Sequence, residues 1–165
     1  MAAHDLVREV YDASYRRLVV QVFAVGGDLV EAEDAVQEAF VKALARGRRF
    51  AQLSNPEAWL RTVALNHLRN RWRHFEVVRR LQVKLPGPAD GMDVGPDHVA
   101  LVEALSHLDL QVRTTVVLHY LADRSVADIA EEMGVPTGTV KTRLARGRTL
   151  LAPLVSDTEQ EADRV

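Results

Sequence analysis

Near the C-terminus, the side chains that could do chemistry are basic and suit binding to a nucleic acid. Residues 135–150 contain four basic residues and no acidic residue. At helical spacing, Val140, Leu144, Gly147 and Leu151 share one face. The opposite face carries Lys141, Thr142, Ala145, Arg146 and Arg148. Because Arg and Lys bind guanine or phosphate, and Thr and Ala contact the thymine methyl, this face fits a major groove.

A second set of candidate nucleic-acid contacts lies on a helix predicted from Pro56 to about Gln82. Its polar side carries Arg61, Asn66, Arg69, Asn70 and Arg73. The preceding loop adds Arg48, Arg49 and Phe50. Asn and Arg contact base edges and phosphates, and a basic loop with an aromatic ring can hold an unpaired strand. Phe50 fits either a stacking role or the core, whereas Trp59 is expected in the core.

Four residues of an earlier predicted helix form a stripe suited to a protein partner. They recur at positions i, i+3, i+4 and i+7 and are Asp34, Gln37, Glu38 and Val41. We call these four residues the docking stripe. A basic partner helix would fit it, although an ordinary solvated helix face has the same pattern.

Other kinds of site are disfavoured. His67 and His74 lie among arginines that would repel a metal ion, and the chain has no cysteine. Neither a phosphate-binding glycine loop nor a G-x-S-x-G motif occurs. No enzyme activity, metal or cofactor is therefore expected. The absence of a long apolar run or a signal peptide predicts a cytoplasmic protein without membrane insertion.

The elements that must position these residues are predicted to be helices. A first amphipathic helix is expected to stop at Gly26-Gly27, and Asp28 to cap a second helix that ends near Arg46. Four short helices follow in the second half: Val99–His107, Leu110–Leu121, Val126–Met133 and about Thr137–Leu151. The last two, capped by Ser125 and joined through Gly134, have the proportions of a helix-turn-helix.

The composition and the charge pattern divide the chain into two parts. With 165 residues, 47% of them hydrophobic, it can form two small cores. Residues 83–96 are rich in proline and glycine and are interpreted as a flexible linker. The predicted fold is therefore all-α, with helical domains at 1–82 and 97–155 and a disordered tail at 156–165. Residues 61–84 carry seven basic and one acidic side chains, whereas residues 85–134 carry two and nine. Two separate basic segments indicate two contacts with a polyanion.

Three motifs, in this order, resemble the bacterial sigma factors of the extracytoplasmic-function group. Residues 32–40, AEDAVQEAF, are similar to that family's polymerase-binding helix, and AWL with ALN at 58–66 resembles its minus-ten recognition helix. The segments IA, GVP and GTVKTRL within 129–144 resemble its minus-thirty-five helix-turn-helix. Two departures are Asn70, where many members have Asp, and Asp109, where many have Pro.

The resemblance implies a protein that binds core RNA polymerase and directs it to promoters. The docking stripe would meet a coiled coil of the largest polymerase subunit. Arg48, Arg49 and Phe50, with the polar side of the following helix, would bind the minus-ten element and its melted strand. The minus-thirty-five element would be bound by Thr139, Lys141, Thr142, Arg143, Ala145, Arg146 and Arg148. Regulation by a separate anti-sigma protein is also implied.

Two other functions remain open at this point. A dimeric transcriptional regulator would use only the helix-turn-helix and would need palindromic half-sites. An adaptor would bind a protein through the docking stripe and contact no bases. Only the sigma-factor interpretation uses both basic segments, the docking stripe and the linker together.

Overall fold

The structure, a computed structural model, describes residues 2–80 and 94–162, and all of its regular elements there are α-helices. The chain divides into two compact units, residues 1–93 and 94–165. The helices are α1 (Ala3–Gly26), α2 (Leu29–Arg46), α3 (Arg48–Ala51), α4 (Pro56–Arg80), α5 (Pro96–Ser106), α6 (Leu110–Tyr120), α7 (Val126–Met133) and α8 (Thr137–Ala162). The all-α prediction is confirmed.

Helices α1 and α2 begin and end at the predicted signals. Gly27 follows α1 with a φ of 80°, a left-handed conformation that glycine adopts without steric cost. The Asp28 side chain then accepts a hydrogen bond of 2.9 Å from the Glu31 backbone N–H and caps α2. These contacts fix the turn that folds α2 back onto α1.

The short helix α3 lies where the sequence predicted only a loop. Its Phe50 ring is fully buried and meets the Trp59 ring edge-to-face, with 5.7 Å between centroids. The Asn55 side chain accepts from the Ala58 backbone N–H at 2.9 Å and so caps α4. The basic segment that precedes α4 is therefore anchored by Phe50 in the core of the N-terminal unit and by Asn55, which caps α4.

The C-terminal unit contains the predicted helix-turn-helix. Asp109 caps α6, Ser125 caps α7, and Gly134 ends α7 with a φ of 65°. The predicted inward residues Val140 and Leu144 of α8 are buried, which confirms the phase assigned to this helix.

Some predicted boundaries differ from the structure, and others lie outside the described residues. Helix α5 begins at Pro96, three residues before the predicted start at Val99. Helix α8 runs to Ala162, so residues 156–162 are helical where a disordered tail was expected. Most of the predicted linker, 83–93, lies outside the described residues, as do 163–165.

Candidate nucleic-acid interfaces and docking stripe

The C-terminal basic face is the exposed side of α8. Burial of Val140 and Leu144 fixes the rotation of the helix. Five of the seven predicted contacts are then exposed to solvent: Lys141, Thr142, Ala145, Arg146 and Arg148. Thr139 is half-buried. Arg143 is also half-buried and donates a hydrogen bond to Gln111 Oε1 on α6, so it supports the packing of α8 in addition to its predicted role.

Tyr120 adds a residue to this face that sequence reasoning missed. Its side chain is half exposed, and its hydroxyl accepts a hydrogen bond from Arg148 Nη1 at 3.2 Å. The contact spans 28 positions of the chain, from α6 to α8. No local sequence pattern predicts a contact between two residues so far apart in the chain.

Arg124, which precedes the first helix of the helix-turn-helix, makes charged contacts with both the first and the last turn of that helix. Arg124 Nε donates to Glu132 Oε1 at 2.6 Å, and Arg124 Nη1 lies 3.8 Å from Asp128 Oδ2. The Ser125 hydroxyl accepts from the Asp128 backbone N–H. Hydrogen bonding to Ser125, together with the nearby Arg124 charge, lowers the pKa of Asp128 below its ordinary value. Arg124 and Ser125 therefore fix the orientation of α7 relative to the turn that precedes it.

The N-terminal basic face on α4 is narrower than predicted. Asn66, Asn70 and Arg73 are exposed and recur at i, i+4 and i+7, so they form one outward stripe. Arg69 is half-buried beside them. Arg48 and Arg49 are exposed on α3, which precedes this helix. These six side chains are the predicted minus-ten contacts that the structure leaves available to a ligand.

The assignment of Arg61 to this face is wrong. Arg61 is only 3% exposed, and its Nε donates to Gln21 Oε1 on α1 at 2.9 Å. Arg61 Nη2 also lies 3.9 Å from the carboxylate of Glu57, which in turn binds Arg17 through two hydrogen bonds. Gln21 is itself buried. Arg61 therefore joins α4 to α1 and does not face a ligand.

The assignment of Phe50 to a strand-stacking role is also contradicted. A ring that stacks on a base must present one face to solvent, and Phe50 is fully buried. Trp59, expected in the core, is half-buried and also lies under Arg46, whose guanidinium carbon is 5.2 Å from the indole centroid. Of the two roles that the sequence left open for Phe50, the structure supports the core role.

The docking stripe on α2 is largely accessible. Val41 is 57% exposed, Gln37 is exposed and Glu38 is half-buried. Gln37 Nε2 lies within 3.5 Å of the Tyr15 hydroxyl on α1. Burial raises the pKa of Tyr15 above its ordinary value. Asp34 differs from the other three because its carboxylate contacts Arg71 and His67 of α4.

An apolar groove of about 340 Å³ borders the docking stripe. Tyr11 of α1 and Phe40, Val41 and Leu44 of α2 are among the residues that line it. Tyr11 stacks on Tyr15 with 4.7 Å between ring centroids and meets Phe40 edge-to-face. Leu44 lies one turn after Phe40, on the apolar side of α2, yet Leu44 is 43% exposed. The accessible surface beside the stripe is thus apolar and aromatic.

Within 2–80 and 94–162, no three His, Asp or Glu side chains are grouped as a metal ion would require. No helix in that part of the chain has the length and apolar character needed to cross a membrane.

Comparison with protein families places both units in one superfamily. The family model described as Sigma-70 region 2 matches residues 10–74, and the one described as Sigma-70, region 4 matches residues 98–151. The first range contains the docking stripe and the N-terminal basic face. The second range contains the C-terminal basic face.

Individual relatives of this chain are also sigma factors. An alignment of 166 positions with the ECF RNA polymerase sigma factor SigW of Bacillus subtilis has 30% identity and covers 90% of this chain and 84% of SigW. It is 32% identical over 146 residues to the ECF RNA polymerase sigma factor SigL of Mycobacterium tuberculosis, covering 84% of this chain and 82% of SigL.

Solved structures are similar as well. The sigma factor RpoE from Bartonella quintana, crystallised with the anti-sigma factor NepR, matches with a TM-score of 0.74 and 28% identity, over 92% of this chain and 97% of RpoE. CnrH, solved with the cytosolic domain of CnrY, has a TM-score of 0.67 and 22% identity, over 93% of this chain and 90% of CnrH. At that identity the second match shows a shared fold only.

Proposed function

Because the chain belongs to the extracytoplasmic-function sigma factors of the sigma-70 superfamily, we propose which of its surfaces carry out promoter-specific initiation of transcription. The observation that carries the proposal is the pairing of each family region with its own exposed basic face, with the docking stripe in the first region. A sigma factor must bind polymerase and two promoter elements at once, and three separate surfaces suit that task.

The minus-thirty-five element is assigned to the exposed side of α8. Lys141, Thr142, Ala145 and Arg146 are assigned to base edges in a major groove, because they are the exposed residues of the second and third turns of α8. Arg148, held by the Tyr120 hydroxyl, is assigned to a phosphate. Thr139 and Arg143 contribute at the edge of this face, where both are half-buried.

The minus-ten element is assigned to α3 and the outward stripe of α4. Asn66, Asn70 and Arg73 offer hydrogen bonds to bases and charge to phosphates. Arg48 and Arg49 would hold the backbone of the melted strand by charge, since Phe50 is not available to stack. Arg69 supports the same surface from its flank.

Core RNA polymerase is assigned to the docking stripe and the adjoining groove. Glu38 supplies charge for a basic coiled coil, and Val41 with Gln37 supplies the contact area. Exposed aliphatic and aromatic side chains around a few charges are typical of protein interfaces. Asp34 lies at the end of this stripe, where α4 already holds its carboxylate.

The cellular setting follows from the same assignment. A sigma factor works on the polymerase, so the protein is assigned to the cytoplasm and to a regulatory role without catalysis of its own. RpoE was crystallised with an anti-sigma factor, and we assign an anti-sigma protein as a regulatory partner of this chain.

Binding to sigma-free core polymerase tests the docking assignment. Wild-type protein should bind, and Glu38→Lys should bind at least tenfold more weakly because it reverses the charge that meets the basic partner. Glu9→Lys, the same charge reversal at an exposed position of α1 that belongs neither to the stripe nor to the groove lining, is the matched control and should bind as the wild type does. Equal affinity of wild type and Glu38→Lys, with unchanged circular dichroism, would remove the stripe from the interface.

A further inference from the structure

Tyr120 borders the C-terminal basic face and has a hydroxyl whose proton its neighbour does not use. It is the last residue of α6 and is 50% exposed. Its hydroxyl oxygen accepts a hydrogen bond from Arg148 Nη1 at 3.2 Å. Because a guanidinium has no acceptor atom, Arg148 cannot bind the O–H proton of the phenol. The contact with Arg148 therefore leaves that proton to another acceptor.

The packing of α8 on α6 brings these two side chains together. Gly147 lies directly against Val116 of α6, where a side-chain methyl would not fit. Tyr120 follows Val116 by four residues and so lies one turn further along the same face of α6. Arg148, the residue after Gly147, reaches the Tyr120 hydroxyl from this close contact. The Tyr120 ring also meets the His119 ring edge-to-face, with 4.8 Å between centroids. The backbone approach of the two helices thus sets the pair.

The position of Arg148 on α8 puts the pair at the edge of the candidate DNA surface. Lys141, Ala145 and Arg148 are exposed and recur at i, i+4 and i+7, so they form one row. Because the N-terminal residues of a recognition helix contact base edges, a residue of its fourth turn lies nearer the DNA backbone. Residues 135–150 carry four basic and no acidic side chains, so this part of the surface attracts an anion.

We propose that the Tyr120 hydroxyl and the Arg148 guanidinium together bind one backbone phosphate of the promoter, at the edge of the minus-thirty-five element. Phosphate oxygens only accept hydrogen bonds, and both side chains offer donors: the phenolic O–H and the guanidinium N–H groups that do not contact Tyr120. Arg148 supplies the charge, and Tyr120 supplies a second donor. One phosphate is thereby held by two helices, α6 and α8.

The inference rests on the proposed function and extends it by one residue. Arg148 is already assigned to a phosphate, and the new claim is that Tyr120 contacts the same phosphate itself. A phosphate contact positions a protein on the duplex without reading the base sequence. Tyr120 is therefore expected to contribute to the affinity for promoter DNA and not to the choice of base at any one position.

Tyr120→Phe tests the proposal, because it removes the hydroxyl and keeps the ring. Holoenzyme assembled from core polymerase and the full chain is titrated with a promoter duplex on which the wild type gives discrete starts. The variant should bind this duplex about two- to tenfold more weakly, the effect of one net hydrogen bond. The loss should persist in an Arg148→Gln background, and the affinity for core polymerase should be unchanged. Ser106→Ala, which removes an exposed hydroxyl of α5 in the same unit, is the control and should bind as the wild type does.

Neutral phosphates supply the matching test on the DNA. Methylphosphonates, which replace one charged phosphate oxygen with a methyl group, are placed one at a time along the minus-thirty-five element. At a single position the methylphosphonate should weaken wild-type binding, and Tyr120→Phe or Arg148→Gln should add little to this loss, because the protein and DNA changes remove the same contact. The position should be the same for both variants.

Four results would overturn the proposal. Tyr120→Phe might bind the duplex as the wild type does, or its loss might vanish in the Arg148→Gln background, which would make Tyr120 a support for Arg148 only. The two variants might respond to different phosphates, or Tyr120→Phe might weaken binding to core polymerase, which would make Tyr120 a protein contact. A wild type that yields no promoter-specific starts would instead refute the proposed function.

Discussion

Gly147 of α8 lies so close to α6 that a Cβ built on it would be 2.5 Å from Val116 Cγ2. Real Cβ atoms essentially never approach another atom so closely, and the same Cβ would lie 3.4 Å from Val112. The helix that presents the C-terminal basic face is therefore packed against its support at a spacing that only glycine allows.

Gly147→Ala should destabilise the C-terminal unit by about 1–3 kcal/mol, because the added methyl must displace Val116 in a packed core. This loss outweighs the higher helix propensity of alanine, which is worth about 1 kcal/mol. Urea denaturation followed by circular dichroism measures this loss of stability. Tryptophan fluorescence would not report on it, because Trp59 and Trp72 both lie in the N-terminal unit. Gly138→Ala is the matched control, because nothing lies within 4 Å of its Cβ. Equal stability of the two variants would contradict the close packing.

Arg61→Ala should lower the free energy of unfolding of the N-terminal unit by about 2–4 kcal/mol, because it breaks a buried, hydrogen-bonded contact. Tryptophan fluorescence during urea denaturation reports on this unit. Arg73→Ala, an exposed arginine on the same helix, should change stability by less than about 0.5 kcal/mol. If Arg61→Ala kept full stability and lost only minus-ten DNA binding, Arg61 would belong to the DNA face after all.

The burial of Arg61 and Phe50 could not be predicted from the sequence. Helical periodicity placed Arg61 opposite the apolar side of α4, and arginine is rarely buried, so solvent was the expected environment. Its partner, Gln21, lies 40 positions away, and only tertiary packing brings the two together. Phe50 sits in a basic segment whose charge gave no indication that α3 would turn the ring inward.

Features set by neighbouring residues were predicted correctly. The glycine stop of α1, the Asp28 cap, the bounds of α7 and the phase of α8 depend on spacings of three or four residues. The pairing of Asp34 with Arg71 spans 37 positions and the Tyr120 contact with Arg148 spans 28. Such contacts require the packed helices and could not be predicted from one chain alone.

Arg146→Ala should weaken binding to the specific minus-thirty-five site by about 1–3 kcal/mol and relax selectivity at one base pair if, as we propose, this exposed guanidinium pairs with guanine. Fluorescence anisotropy with specific and scrambled duplexes at fixed salt measures both effects. Arg148→Ala, assigned to a phosphate, should weaken the two duplexes equally. An equal loss on both duplexes for Arg146→Ala would reassign that residue to the backbone.

Asp128 should make the C-terminal unit more stable above the ordinary carboxyl pKa than below it. Its pKa is lowered in the folded state, first by hydrogen bonding to Ser125, so the charged form favours folding. This contribution is present above about pH 4 and is lost as the pH falls through the lowered folded value. Melting temperatures of wild type and Asp128→Asn across the acidic range should differ most near neutrality and converge in acid. A constant difference at every pH would show that the charge of Asp128 does not matter.

Transcription from sigma-free core polymerase with genomic DNA fragments tests the central claim most directly. The wild-type protein should give transcripts that begin at discrete sites sharing a two-part upstream motif, and Glu38→Lys should give none. If no discrete starts arose with a polymerase active on another sigma factor, while the protein still bound DNA as a dimer on palindromic sites, the chain would act as a transcriptional regulator and the account would be refuted.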